Sequence, residues 1–147
     1  MSLVVVTGAP GGGRESLAQA VADRLGRFLI SFGAIEDGLA AGAAETPRHW
    51  LREDAEQEMV RLLAAAAGRA VLDLDVPTPG DAERVAELLR PWADDLVELR
   101  CQAPGERPQP LGAPRTVVVD TSRPVALGDV VSAVRSETGT DRPGVRR

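Results

Sequence analysis

Two glycines, Gly8 and Gly13, stand between an apolar run and a helix-period segment, and Arg14, Glu15 and Ser16 follow them directly. Leu3 to Leu25 therefore offers a strand, a glycine-rich turn and a helix in the order that a phosphate-cradling loop requires. Glycines let the backbone bend around an anion, so that successive N–H groups and the helix N-terminus converge on it. In the spacing G-x-x-x-x-G-K-[ST], Gly8 and Gly13 take the glycine places, with Ala9, Pro10, Gly11 and Gly12 between them. Arg14 then stands where the lysine should be, and Glu15 where the magnesium-binding hydroxyl should be. Reading the motif one residue later brings Ser16 to the hydroxyl place but puts Glu15 at the lysine place. Neither register is intact.

The sequence has no lysine at all: its 17 basic side chains are all arginine, set against 22 acidic ones. Chemistry that needs a lysine ammonium, Schiff-base formation included, is excluded. A guanidinium at position 14 can still hold phosphate oxygens, but it is longer and forked where a lysine is a compact point charge. The carboxylate of Glu15 repels a triphosphate, although as a hard oxygen donor it could ligate magnesium. Asp73 and Asp75 lie two apart, so on a strand they share a face, with Asp73 expected toward the loop. His49, the only histidine, reads as a helix-surface residue. Cys101, the only cysteine, reads as a small apolar filler at a strand end. One cysteine and one histidine provide neither an internal disulfide nor a cysteine-rich metal site.

The elements that must position these residues follow from periodicity. Leu3 to Val6, Phe28 to Ser31, Ala70 to Asp75, Leu96 to Cys101 and Thr116 to Asp120 read as strands. Between them lie a helix carrying Leu17, Val21 and Leu25, and a short alanine-rich one from about Ala34 to Ala41. A longer helix carries Leu51, Ala55, Met59 and Leu62, with Thr46 expected as N-cap and Pro47 at its first position. Asp81 is expected to cap a helix bearing Val85, Leu88, Leu89 and Trp92, and Leu127, Val130, Val131 and Val134 line the last one. Strands alternating with helices predict a three-layer, doubly wound α/β domain with a parallel five-stranded sheet and its ligand at the carboxyl ends of the strands. The domain is expected over residues 1–136, with 137–147 a frayed tail.

The net charge of −5 and a pI near 4.9 argue against a nucleic-acid binder. No apolar run approaches the roughly 20 residues of a membrane span, and a cytoplasmic location is expected.

At Gly8-Ala9-Pro10-Gly11, Gly13 and Ser16-Leu17-Ala18 the sequence resembles the P-loop small-molecule kinases, in particular short bacterial ones. Val71 to Leu89 is similar to the family's third strand and following helix, and Thr116 to Val134 to its fifth strand, adenine-side loop and closing helix. The resemblance implies strand order 2-3-1-4-5, ATP or another nucleotide or phosphate as ligand, Asp73 as the carboxylate of the third strand, and Arg123 beside the adenine. A plain turn explains Arg123-Pro124 equally well.

Four departures bear on activity. Arg14 and Glu15 are two. Phe32 and Gly33 stand where the family carries a lysine-aspartate pair, and Glu36 and Asp37, one turn on, read as solvated helix charges. The fourth is the connection from Gln102 to Pro114, 13 residues with four prolines. Fully extended it reaches at most about 45 Å, enough to return along one strand without any helix. It therefore lacks the arginine-bearing lid that would close over the phosphates, and Arg107 reads as a solvated loop residue.

No residue is assigned a catalytic role, no metal site is expected, and Glu15 makes magnesium doubtful. The leading expectation is a degenerate kinase-like protein that binds nucleotide or phosphate weakly, or none, and transfers little phosphoryl. An active kinase or nucleoside-triphosphatase using Arg14, Glu15 or Ser16, and Asp73 in modified roles is the second. A protein-interaction module with a partner or a second copy over the edge the lid leaves open is the third.

Overall fold

A computed structural model describes residues 2–8, 13–42, 45–103, 105 and 111–138. Strands β1 (Leu3–Thr7), β2 (Phe28–Ser31), β3 (Ala70–Asp73), β4 (Leu96–Cys101) and β5 (Arg115–Val119) form one parallel sheet in the order β2-β3-β1-β4-β5. Helices α1 (Arg14–Leu25) and α5 (Leu127–Thr138) cover one face; α2 (Phe32–Gly42), α3 (Arg48–Ala65) and α4 (Pro79–Leu88) cover the other. This is the three-layer, doubly wound arrangement expected, with β1 at the centre.

The central place of β1 follows from its side chains. All five residues are buried, and successive residues point to opposite faces. Leu3 and Val5 pack with Met59, Leu63 and Leu72, whereas Val4 and Val6 pack with Leu17, Val21 and Val134. Each such side chain contributes about 1.5–3 kcal/mol on burial. The two layers are thus held by alternate residues of the strand that leads into the glycine-rich turn.

Several boundaries differ from expectation for identifiable reasons. The α2 helix begins directly at Phe32, because the Ser31 hydroxyl accepts the Ala34 N–H at 3.2 Å and caps it. In α3 the N-cap is Pro47, not Thr46, and its carbonyl accepts the Trp50 and Leu51 N–H groups. Leu63 takes the buried position expected for Leu62, which is only partly buried. In α4 Thr78 is the N-cap, accepting the Asp81 N–H at 3.1 Å, and Pro79 fills the first turn; Asp81 lies inside the helix. That helix stops at Leu88, and Trp92 sits in a 3₁₀ stretch, Arg90–Asp95, opened by Pro91. The third strand is two residues shorter than expected, and the fifth begins one residue earlier.

Among the described residues of the β4–β5 connection, Leu111 is buried in the core that holds Leu3 and Leu96. Residues 104 and 106–110, with Arg107, lie outside the described residues. The α5 helix continues to Thr138, two residues into the expected tail; 139–147 lie outside the described residues. Among the described helices none is long and apolar enough to cross a membrane.

Candidate functional site

The register of the sheet pairs Val6 with Asp73 on β3 and Thr7 with Arg100 on β4, so charged residues flank the carboxyl end of β1 on both sides. Alternation sends Asp73 toward α1 and Arg100 toward the opposite face.

On the α1 face the chain leaves β1 through Gly8, whose φ is +143°. A Cβ there would lie 2.5 Å from the Cys101 carbonyl oxygen and 2.9 Å from its Cβ. Only glycine lets the start of the turn pass so close to the end of β4. Ala9, Pro10, Gly11 and Gly12 lie outside the described residues. Gly13, left-handed at φ +82°, caps α1, and its carbonyl accepts the Leu17 N–H at 3.0 Å.

Arg14, the first residue of α1, is 5% exposed. Its Nε donates to Asp73 Oδ1 at 2.6 Å and its Nη1 to the Gly8 carbonyl at 2.8 Å. Asp75 Oδ1 stands 3.8 Å from Nη1 and Glu15 Oε1 3.8 Å from Nη2. The guanidinium thus turns back across the base of the turn and binds the carboxylate of the third strand. Glu15 and Ser16 face solvent. Burial pushes the Asp73 carboxyl above its ordinary range; Arg14 opposes this, and the charges of Glu15 and Asp75 reinforce it. Burial also pushes the Cys101 thiol up to about 11, again with Arg14 opposing and Asp73 reinforcing.

The expected site residues are therefore brought together in part. Gly8, Glu15, Asp73 and Asp75 meet around the Arg14 guanidinium, and Gly13 caps the helix that carries it. Arg123 does not join them: it is 80% exposed on its side chain and faces Asp120 at 3.5 Å. His49 is exposed and stands edge-on to Trp50.

For a phosphate the fit is partial: a cation, a helix N-terminus and a glycine that admits no Cβ are present, with the cation already bonded. For magnesium the residues do not fit as arranged. Asp73, Asp75 and Glu15 are hard oxygen donors of the right kind, but Asp73 Oδ1 is bonded to Arg14, and the guanidinium's positive charge stands 3.8 Å from an oxygen of each of the other two. Among the described residues there is no group of three or more His, Cys, Asp or Glu side chains placed to hold a metal.

The opposite face carries a cluster that the sequence reading missed. Glu98, fully buried in β4, accepts the Thr7 hydroxyl at 2.7 Å, Arg100 Nε at 3.2 Å and the Leu111 N–H at 3.4 Å. The available signal was a glutamate and an arginine two apart within an otherwise apolar strand, the same spacing as Asp73 and Asp75. Further along this face, Phe32 is 3% exposed, and the Arg52 guanidinium lies 5.1 Å above its ring. Arg52 also stands 3.9 Å from both Glu36 and Asp81, so Glu36 takes part in a bridge between helices. An apolar groove of about 650 Å³ runs along β2 between α2 and α3, lined among others by Phe28, Ile35 and Leu62; neither Arg14 nor Asp73 lines it.

A crystal structure of a protein from Chloroflexus aurantiacus named as a kinase superposes with a TM-score of 0.74 at 21% identity, over 96% of this chain and 97% of that one. The fold is that of the P-loop small-molecule kinases. A sugar kinase from Janibacter matches at TM-score 0.61 and 16% identity over 96% of both chains. A gluconokinase from Sinorhizobium meliloti matches at 0.58 and 18%, over 95% of this chain and 92% of that one. No protein-family model matches the sequence, and no curated protein matches it. At these identities the likeness is one of fold, and the strand order expected from the motif resemblance is the one observed.

Proposed function

We propose that this protein is a kinase-fold phosphate or nucleotide binder with little phosphoryl transfer. The observation that carries the reading is Arg14: the residue in the lysine's place is buried and bonded to Asp73 and to the Gly8 carbonyl. A group that must bridge phosphates during transfer works from a position preorganised for developing charge. Here the cation spends its strongest bond on the carboxylate that would otherwise orient magnesium. Phe32 adds to the argument, since its buried ring stands where the resembling kinases carry a polar pair beside the acceptor hydroxyl. The ligand is ATP or a smaller phosphate, held by the N–H groups at the N-terminus of α1 with Arg14 as the cation.

Calorimetric titration with ATP tests the binding half, and ATP hydrolysis or transfer assays test the other. Weak saturable binding without turnover is expected. Turnover that Arg14→Ala abolishes would overturn the low-transfer reading in favour of an active kinase or nucleoside-triphosphatase. That second reading draws on the same geometry, because Asp73 and Asp75 are available as oxygen donors once Arg14 moves.

A further inference from the structure

Of the two edge strands of the sheet, β2 is the one without a charge. Among the described residues it pairs only with β3, so the N–H and C=O groups of its outer side point away from the sheet. An edge strand is usually blunted by a charge, a proline or a bulge, because its outer side templates another strand. The other edge, β5, opens with Arg115. Phe28 to Ser31 carries neither a charge nor a proline, and Phe28 is 72% exposed. The apolar groove of about 650 Å³ that this ring borders is floored by Ile30 and walled by Ala34 and Ile35 of α2. A large exposed apolar ring beside an open apolar groove marks a contact surface.

We propose that β2 is the interface of a homodimer, in which two copies pair antiparallel along this edge and each Phe28 ring enters the other copy's groove. The patch is self-complementary, as a two-fold contact requires: Phe28 is the knob, and the groove it borders is the hole. Alternation gives the register. Residues directly opposite one another in an antiparallel pair point to the same face, so one residue must stand opposite its own copy. Leu29 in that place sets Phe28 against the partner's Ile30, in the groove; Ile30 there would set Phe28 against a Phe32 that already belongs to α2. Charge selects the same direction. Arg27 and the exposed Arg69 flank the start of β2, since Phe28 pairs with Ala70, and Arg27 is held there by the Ser2 and Ala70 carbonyls. The helix that follows the end of β2 carries Glu36 and Asp37 as its only charged residues; Arg52 offsets part of the Glu36 charge, whereas Asp37 is exposed. Antiparallel pairing sets the basic end of one copy against the acidic end of the other, and parallel pairing sets like against like. The proposal is independent of the phosphate-binding reading, because neither Arg14 nor Asp73 lines the groove.

Sedimentation velocity of the full chain at tens of micromolar tests the contact. Wild type sediments as a dimer. Phe28→Glu sediments as a monomer with unchanged far-UV circular dichroism, its dissociation constant raised about thirtyfold or more, the size of an aromatic hot spot. Val118→Glu, which alters a 58% exposed apolar residue on β5, leaves the dimer intact. A monomeric wild type overturns the proposal, as does a dimer that Phe28→Glu leaves intact or that Val118→Glu dissolves. Should Phe28→Glu show no cooperative melt, Phe28→Ser gives the same comparison.

Cross-linking reads the register separately. Opposed Cα atoms of an antiparallel pair lie about 4.5–5.5 Å apart, within the span of a disulfide. Leu29→Cys, oxidised with diamide, is expected to join two copies through one bond, while the buried Cys101, its thiol pushed up to about 11, stays unreacted. Val118→Cys remains uncross-linked under the same treatment. A dimer in which Leu29→Cys fails to cross-link overturns the antiparallel register, and equal cross-linking of Val118→Cys overturns it too, because random collision then accounts for both.

Discussion

Arg14 and Asp73 are 59 positions apart in the sequence and 2.6 Å apart in space. Their bond places a buried carboxylate under two opposing influences: burial, which disfavours its charge, and the guanidinium, which favours it. Burial is the larger, so the proton is held more tightly in the folded state than in the unfolded chain. The sign of the linkage follows. As pH rises from the ordinary carboxylate value of 3.8 to the raised folded value, the unfolded chain has released a proton that the folded one still holds, and stability falls across that window. Asp73→Asn lacks this loss. Melts of both proteins at pH steps between 4 and 7 should show wild type losing ground to the variant as pH rises; a constant or opposite difference would contradict the shift. At this scale the motif spacing singled out Arg14 and Glu15, and the resemblance to the kinases singled out Asp73 as the carboxylate of the third strand. Neither showed that Arg14 takes Asp73 as its partner, since that choice depends on where β3 lies beside β1.

At the scale of elements, β4 is the strand whose role was least legible. Its apolar run predicted a buried strand correctly, but Glu98 within it ties three separate pieces together: Thr7 at the end of β1, Arg100 on its own strand and the backbone of Leu111 in the returning connection. Glu98→Ala should destabilise the protein by about 3–5 kcal/mol, because it strands Arg100 and leaves the Thr7 hydroxyl without its acceptor. Urea denaturation checks this, and a change within about 0.5 kcal/mol, as for an ordinary surface site, would show that the cluster is dispensable. Helix existence was readable from i, i+3, i+4 spacing, whereas caps were not. Asp81 and Thr78 are both good capping residues, and the presence of Pro79 at the first turn favours Thr78. The sequence carried that signal, but two capping residues three apart compete for one helix end.

For the whole molecule, the alternation of β1 residues between two cores makes the layers mutually dependent. Trp92 packs against the first core, close enough to Gly68 that a Cβ there would lie 2.9 Å from the ring, while Trp50 is 59% exposed. Fluorescence therefore reports mainly on Trp92, and its unfolding curve should coincide with that of far-UV circular dichroism in urea. Two separated transitions would contradict a single cooperative unit. The alternation of strands and helices was enough to predict the layers, but the order of the strands came only through the motif resemblance, since periodicity does not say which strands are neighbours.

The contact between Gly8 and Cys101 has a bearing on descent. Gly8 is required by the passage of β4, and Arg14 is held by its bond to Asp73, so purifying selection on folding alone would keep both residues. Relatives of this protein could lose every ligand and still display the glycine, the cation and the carboxylate of the motif. Their retention across a lineage would then record packing, and the exposed Glu15 and Ser16, which no such bond secures, are the positions where drift would first betray a change in use.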